Sequence, residues 1–468
     1  MTGAAQYIHA PAWPATRRAV RPALSGMARP VAGHAGQCRP LMRALMQALM
    51  LALTLAGAGP GVAMAAVLQV QPGTSINAAI ARAQAGDTVL ITAGSYNERL
   101  LIDKPLTLQG QGHPTINGQR QGDTIRITAP DVKLTGLIIR DSGEDLTAQN
   151  AGITILPGAH RVEISECQLV ANLFGIWLQG ADDARLLNNI ITGRRDLQSA
   201  QRGNGIQVYD TRGVRVIGNE ISTTRDGIYV DVSRDAEFRH NRIHHVRYGT
   251  HYMNTNHSTW EDNEVYLSRA GLALMEVRSL TVRRNISWGN TDHGIMLRTI
   301  QDSIIEDNVV AGNDRGFFVY DAEYNTLRHN LVINNRTGVH LSAGSSNNEV
   351  DGNDFIGNRE QVRFVAARDV EWGKKEGNYW SNYSGWDQNA DGLGDVSYEA
   401  NDLVDRLNWQ YPLLKLLSAS PALQTLRFAA RQFPLLRAPS VVDRHPRMRP
   451  LSQNWKKWND IVPRTDTH

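Results

Sequence analysis

Cysteine is almost missing from this chain: Cys38 and Cys167 are the only two in 468 residues. If the segment up to Ala65 is removed, Cys167 stands alone. An intramolecular disulfide is then excluded, and stability has to come from packing. Acidic residues are absent from residues 1–65, which hold six arginines: Arg17, Arg18, Arg21, Arg29, Arg39 and Arg43. Beyond Ala65 no apolar run is long enough to cross a bilayer. A strong net charge is also lacking. The whole chain is +3, and loss of the six arginines leaves −3, which gives no support to a general role on nucleic acid.

The N-terminus has the layout of an export signal. The basic stretch leads into an apolar run from Ala44 to Ala58 and then into Ala63-Met64-Ala65, which fits the small-x-small rule with cleavage before Ala66. The basic stretch is long for a signal. A start at Met42 leaves a 24-residue signal of ordinary shape, so Met42 is the expected true start. The alternative is a retained membrane anchor. Charge is uneven in the remainder: residues 401–468 carry +6 and residues 66–400 carry −9. A basic tail on an acidic body points to a separate task for the tail.

What the chain does have is a repeat. Asn219, Asn241, Asn263, Asn285, Asn308, Asn330 and Asn353 recur at a step of about 22 residues, and so do Gly205, Gly227, Gly249, Gly271, Gly294, Gly316 and Gly338. Gly152, Gly175, Cys167 and Asn189 extend both series backwards. A longer step from Gly175 to Gly205 places an insertion around Arg194 to Gly203. Each glycine opens a period-two run, such as Gly-Ile-Tyr-Val-Asp at 227, which marks a strand with one buried face. Strands recurring at this spacing stack in parallel, about 4.8 Å per coil. The expected fold is therefore all-β, a right-handed parallel β-helix of the pectin-lyase-like solenoid type with coils of about 22 residues. The glycine is expected to make the tight turn into each strand. The asparagines are expected to pass side-chain hydrogen bonds from coil to coil.

Both ends of such a stack need covers. Thr74 to Ala85 has helical periodicity, with Ile76, Ala79, Ile80 and Ala83 on one face, and is the expected N-terminal helical cap. The expected organisation is a signal over 1–65, a cap and first coils over 66–130, and regular coils over 131–376. A loop rich in Asp, Asn and Gly over 377–400 and a partly helical tail over 401–468 complete it.

If residues one and three after each glycine point inward, residues two and four form an outer strip. Its columns contain Trp177, Tyr229, His251, Met296, Phe318 and His340, and Met253, Met275, Arg298 and Tyr320. Three readings stand side by side. Thioethers and imidazoles on adjacent coils suit Cu(I), a soft ion, with His251, Met253, Met275, Met296 and His340 as candidate ligands. An aromatic groove suits a polysaccharide, as in β-helical lyases and epimerases. A covered apolar strip suits a loop or partner protein. The run Arg239, His240, Arg242, His244, His245, Arg247 and His251 has catalytic residue types. It spans different edges of one coil, however, so most of these side chains diverge. The Asp-Pro-His-Asp run of alginate epimerases is absent.

After the last coil comes GNYWSNYSGWDQNADGLGD, from Gly377 to Asp395. Asp387, Asn389 and Asp391 alternate like the first half of a Ca²⁺ loop, and Gly392 permits a sharp turn. Tyr398 stands where an EF-hand has its glutamate. Asp395 or Asp402 is the candidate replacement, and a metal-free turn is the alternative. Farther on, Ser420 and Pro421 read as a helix start. Leu423, Leu426, Ala430 and Phe433 then form one face, Arg427 and Arg431 flank it, and Pro434 ends it.

The Gly377–Asp395 stretch and residues 398–450, together with the repeats, resemble the NosD family of periplasmic accessory proteins for nitrous-oxide reductase maturation. That resemblance implies a non-enzymatic factor in the periplasm, working with an ATP-binding-cassette ATPase and permease. It implies a relay of copper or sulfur, with a periplasmic copper chaperone and nitrous-oxide reductase as partners and the membrane met only through the permease. Leu423, Leu426, Phe433, Arg427 and Arg431 are then the expected docking residues of the tail.

Overall fold

In the computed structural model, the described residues are 65–468 apart from 343, 365–369, 401–403, 405–406, 408–410, 418–419, 433–440 and 462–468. The expected signal lies outside them. The described chain is a right-handed parallel β-helix. Three parallel sheets of 13, 13 and 12 strands run along it. Sheet A starts at Val67–Val70, sheet B at Ser95–Tyr96 and sheet C at Leu100–Ile102. One typical coil consists of Asp226–Asp231 in sheet C, Glu237–Arg239 in sheet A and Arg242–His244 in sheet B.

The period-two pattern sets the burial. Ile228 and Val230 are fully buried, and Tyr229 between them faces outward and is half-buried. Stacking in register places like on like: Val216, Phe238, Trp260 and Val282 form one interior column. The Phe238 and Trp260 rings stack at 4.7 Å. Cys167 belongs to this interior, and burial pushes its thiol up to about 12. It supplies no thiolate.

The asparagine ladder runs as expected. Asn219 Nδ2 donates to Asn241 Oδ1 at 3.0 Å, and the backbone N–H of Asn219 donates to the same oxygen at 3.0 Å. The same double link recurs from Asn189 through Asn353 to Asn378. Each link satisfies buried polar groups that water cannot reach, for about 1 kcal/mol net per hydrogen bond. A second ladder, Asn290, Asn313, Asn335 and Asn358, lies one corner away.

The glycine ladder has a different cause from the one expected. Gly205, Gly227, Gly249, Gly271, Gly294, Gly316 and Gly338 do not have positive φ. They are glycines because coils approach too closely there: a Cβ at Gly249 would lie 2.8 Å from the carbonyl oxygen of Gly271 and overlap Val265. The left-handed turn falls just before each ladder asparagine, at Asn188, Gly218, His240, Asp262, Arg284, Asp307, His329 and Gly352.

Both ends are closed. Helix α1, Ile76–Arg82, covers the top, and the Ser75 side chain caps it by accepting from Ala78 N. Ile76, Ala79, Ile80 and Ala83 are buried, as expected. At the bottom, Val441–Asp443 pairs with Val370–Trp372 and Tyr398–Glu399. Asp443 ends the first ladder. Its Oδ2 accepts from Asn378 N at 2.9 Å, Asn378 Nδ2 at 3.1 Å and Trp380 Nε1 at 3.0 Å. A final link needs only an acceptor, which a carboxylate supplies. Burial pushes the Asp443 carboxyl up, so its charge is not what stabilises; Asp443→Asn is expected to cost about 1 kcal/mol because an amide NH2 would face the His445 N–H that Oδ1 now accepts. Hydrogen exchange at Asn353 and Asn378 should rise while the upper coils are unaffected.

From there the chain runs back as a strap across the outside of sheet B. Trp455, Trp458 and Ile461 pack on Ala311, Leu331, Ile333 and Ile356, and Asp354 receives Leu451 N and Ser452 N.

Candidate functional site

Sheet C carries the candidate copper residues on one outer face. His251 pairs in register with Ala273, Ala273 with Met296, Met296 with Phe318 and Phe318 with His340. Met253 pairs with Met275, and Met275 with Arg298. Met275 and Met296 form an apolar cluster with Ala273, against which Met253, Tyr248 and Phe318 pack. The structure thus brings the three thioethers together. The face is less open than an exposed strip: Trp177, Gln207, Met275 and Met296 are all buried. Leu197, from the insertion expected around Arg194 to Gly203, packs against the cluster that Trp177 forms with Ala151, Leu173 and Phe174.

His251 stands beside this cluster and is fixed from behind. Its Nδ1 lies 3.1 Å from Asp226 Oδ2. A carboxylate there makes Nδ1 the proton-bearing nitrogen and leaves Nε2 as the free lone pair, the usual arrangement behind a metal-binding imidazole. The Tyr229 and Tyr248 rings pack edge-on against His251 at 4.7 and 5.3 Å. The Tyr229 hydroxyl donates weakly to Met253 Sδ at 3.9 Å. Asp226 is buried and also accepts from Arg247 Nε at 2.8 Å and Arg247 Nη2 at 2.6 Å. Burial pushes its carboxyl up, but hydrogen bonds and charge from Arg247 and His251 outweigh burial and hold it below its usual value.

His340 is separate from the thioethers, since Phe318 lies between it and Met296. Its Nδ1 is buried with no hydrogen-bond partner among the described residues. Burial, with Arg315, Arg363 and His293, pushes its pKa down to about 4, so it is neutral at physiological pH. The remaining members of the Arg/His run diverge: Arg239 lies on sheet A, with Glu237 and Glu261, and Arg242 and His244 lie on sheet B.

The spacing of the glycines gives no sign of a column of polar residues directly before them, Asp226, Tyr248, His293 and Arg315, which Glu360 continues where Gln361 replaces the glycine. His293 sits between Asp292, 3.0 Å from Nδ1, and Arg315, 2.9 Å from Nε2.

The chain shares extensive sequence with two proteins, each named "Probable ABC transporter binding protein NosD". That of Stutzerimonas stutzeri is 40% identical over 375 residues, covering 77% of this chain and 86% of its own length. That of Pseudomonas aeruginosa is 38% identical over 374 residues, covering 77% and 87%. The chain belongs to the NosD family. The family profile, described as "Periplasmic copper-binding protein (NosD)", matches residues 187–385 and so spans the His251 and methionine coils. A second profile, of unknown function, matches residues 61–262. Among solved structures, the Dettilon tailspike protein is similar with a TM-score of 0.49 and 14% identity, over 64% of this chain and 68% of its own. A family 28 exopolygalacturonase of Yersinia enterocolitica is similar with a TM-score of 0.49 and 13% identity, over 64% and 78%.

The donor set suits the family's metal. Three thioethers are soft donors and the oriented imidazole a borderline one, a set that favours Cu(I) over hard cations. Among the described residues there is no cluster of three or more His, Cys, Asp or Glu able to hold a metal. In the Asp/Asn/Gly loop, Asp387 accepts from Asp391 N and Gly392 N, Asp391 from Leu393 N, and Asp395 from Gln388 N. These turns account for Asp387, Asn389, Asp391 and Asp395 as a self-bonded loop. In the tail, α2 spans Pro421–Gln432, and Leu423 N donates to the Ser420 hydroxyl. Leu423 is buried and Leu426 half-buried, while Phe428, outside the expected face, is 65% exposed. The side chains of Arg427 and Arg431 and all of Asp402 and Phe433 lie outside the described residues.

Proposed function

We propose that this NosD-family chain is a non-enzymatic periplasmic accessory factor that carries Cu(I) as cargo on the outer face of sheet C. His251, Met253, Met275 and Met296 receive the ion. The single observation that carries this reading is the Asp226-oriented imidazole beside three clustered thioethers. Three thioethers and one imidazole on adjoining coils, with no thiolate, suit an ion that must be handed on rather than kept. The names of the relatives support an ABC transporter as partner. Under this reading the permease and ATPase, a copper chaperone and nitrous-oxide reductase complete the route, and α2 docks the chain to the permease through Leu423, Leu426 and Phe433 with Arg427 and Arg431.

The test is an anaerobic Cu(I) titration against a chromogenic chelator. Leucine at Met253, Met275 and Met296 conserves core volume. That triple variant, and separately His251→Leu, should lose about 100-fold in affinity or more, as expected when ligands rather than their supports are removed. Equal affinity in wild type and both variants overturns the site. Turnover of uronate glycans by the wild type overturns the non-enzymatic assignment.

A further inference from the structure

A second site lies at the N-terminal end of sheet C, where Leu101, Arg126 and Thr154 stand in register. A cleft of about 300 Å³ opens there between Asn77 of α1, Arg99, Leu101, Asp123, Arg126 and Asn150. Its acceptors are already engaged. Asp123 Oδ1 accepts from Ala151 N at 3.0 Å, and Oδ2 lies 3.3 Å from Arg126 Nη1. Asn150 Oδ1 accepts from Asp145 N at 3.2 Å. Its donors are not. The Arg99 guanidinium lies against the backbone of Gly122, where a Cβ would come within 2.9 Å of Nη1. It has no hydrogen-bond or ion-pair partner among the described residues, and neither has Asn150 Nδ2. Asp123 and Glu98, which accepts from Asn77 Nδ2 at 2.9 Å, balance the two guanidinium groups in charge, so recognition rests on the free Arg99 and Asn150 donors. Leu101, 51% exposed, supplies an apolar wall.

We infer that this cleft binds a carboxylate monoanion with a small apolar body. Arg99 and Asn150 Nδ2 donate to the carboxylate, in the forked geometry that suits a guanidinium, and Leu101 packs on the apolar part. Such a ligand comes from a free branched-chain carboxylic acid or from the C-terminus of a peptide ending in an aliphatic residue. The inference is independent of the copper reading, because no residue is shared.

The experiment is calorimetric titration of the mature full chain at low salt with three probes: isovalerate, the peptide Gly-Gly-Leu as free acid, and the same peptide as C-terminal amide. At least one acid should bind with a Kd of about 1 mM, the affinity open to so few heavy atoms. Binding of isovalerate alone identifies a free acid, and binding of the peptide acid alone identifies a chain terminus. Either result supports the site. Loss of the charged contact, in the amide or in Arg99→Gln, should weaken binding about tenfold or more. Arg99 is exposed, so the variant keeps the fold, and circular dichroism confirms it. Amide binding as tight as acid binding, equal affinity of wild type and Arg99→Gln, or no saturable binding of either acid overturns the proposal.

Discussion

Gly249→Val is expected to unfold the middle coils, at a cost of about 3 kcal/mol or more, because overpacking here has no soft neighbour to absorb it. The new Cβ would lie 2.8 Å from the Gly271 carbonyl and overlap the buried Val265 side chain. The carbonyl belongs to the stacked backbone and Val265 to the core, so relief requires a shift of the next coil, which meets the same ladder at Gly271. Backbone strain contributes nothing, since Gly249 is not in the left-handed region. Gly218 provides the contrast. It is left-handed, at φ +71°, but the same turn is made by His240, Asp262 and Arg284 in the following coils. A Cβ at Gly218 would meet the outer end of the Asn188 side chain, which is exposed and can swing away, so Gly218→Asp should cost no more than about 1 kcal/mol. Thermal melts and limited proteolysis compare the two. A Gly218 variant less stable than the Gly249 variant would reverse the roles assigned to the two glycine types.

The same pair shows what the sequence makes legible. The repeat period reveals coils, strands and the asparagine ladder, because each depends on spacing alone. It does not reveal why a glycine recurs. A turn and a close approach leave the same letter, and only φ and the facing coil separate them. Asp226 is hidden for a related reason. It precedes His251 by one coil and three residues along the strand, so the pair exists only once coils are stacked. The thioether cluster is legible from register, since the methionines fall in adjacent columns of neighbouring coils. Its burial is not. Asp443 stands far along the chain from Asn378, beyond the repeat, where periodicity carries no information. The strap at Trp455 and Trp458 likewise follows from where the tail folds back, which no spacing records.

Asp226→Asn is expected to damage both stability and copper binding, with different pH dependences. Asp226 is 1% exposed and neutralises Arg247 through two hydrogen bonds while holding His251 by a third. Asparagine conserves shape but leaves the Arg247 charge, itself only partly exposed, without its counter-ion. The cost at pH 7 is about 3 kcal/mol, at the lower end for breaking a buried pair. The sign with pH follows from the depressed carboxyl. A carboxylate whose folded pKa lies below its ordinary value of 3.8 stabilises the fold above that value. It loses this contribution as pH falls through the folded pKa. The stability gap between wild type and variant should thus be full at pH 7, begin to narrow below about pH 4, and close as pH falls through the folded pKa, where the wild-type carboxyl also becomes neutral. Copper binding should weaken about 10- to 100-fold, the usual effect of removing the group that orients a ligating imidazole. The His251 ring can then adopt either tautomer, which NMR of the imidazole nitrogens would show. A variant destabilised as expected but with unchanged Cu(I) affinity would keep Asp226 as a partner of Arg247 and remove its role in presenting His251.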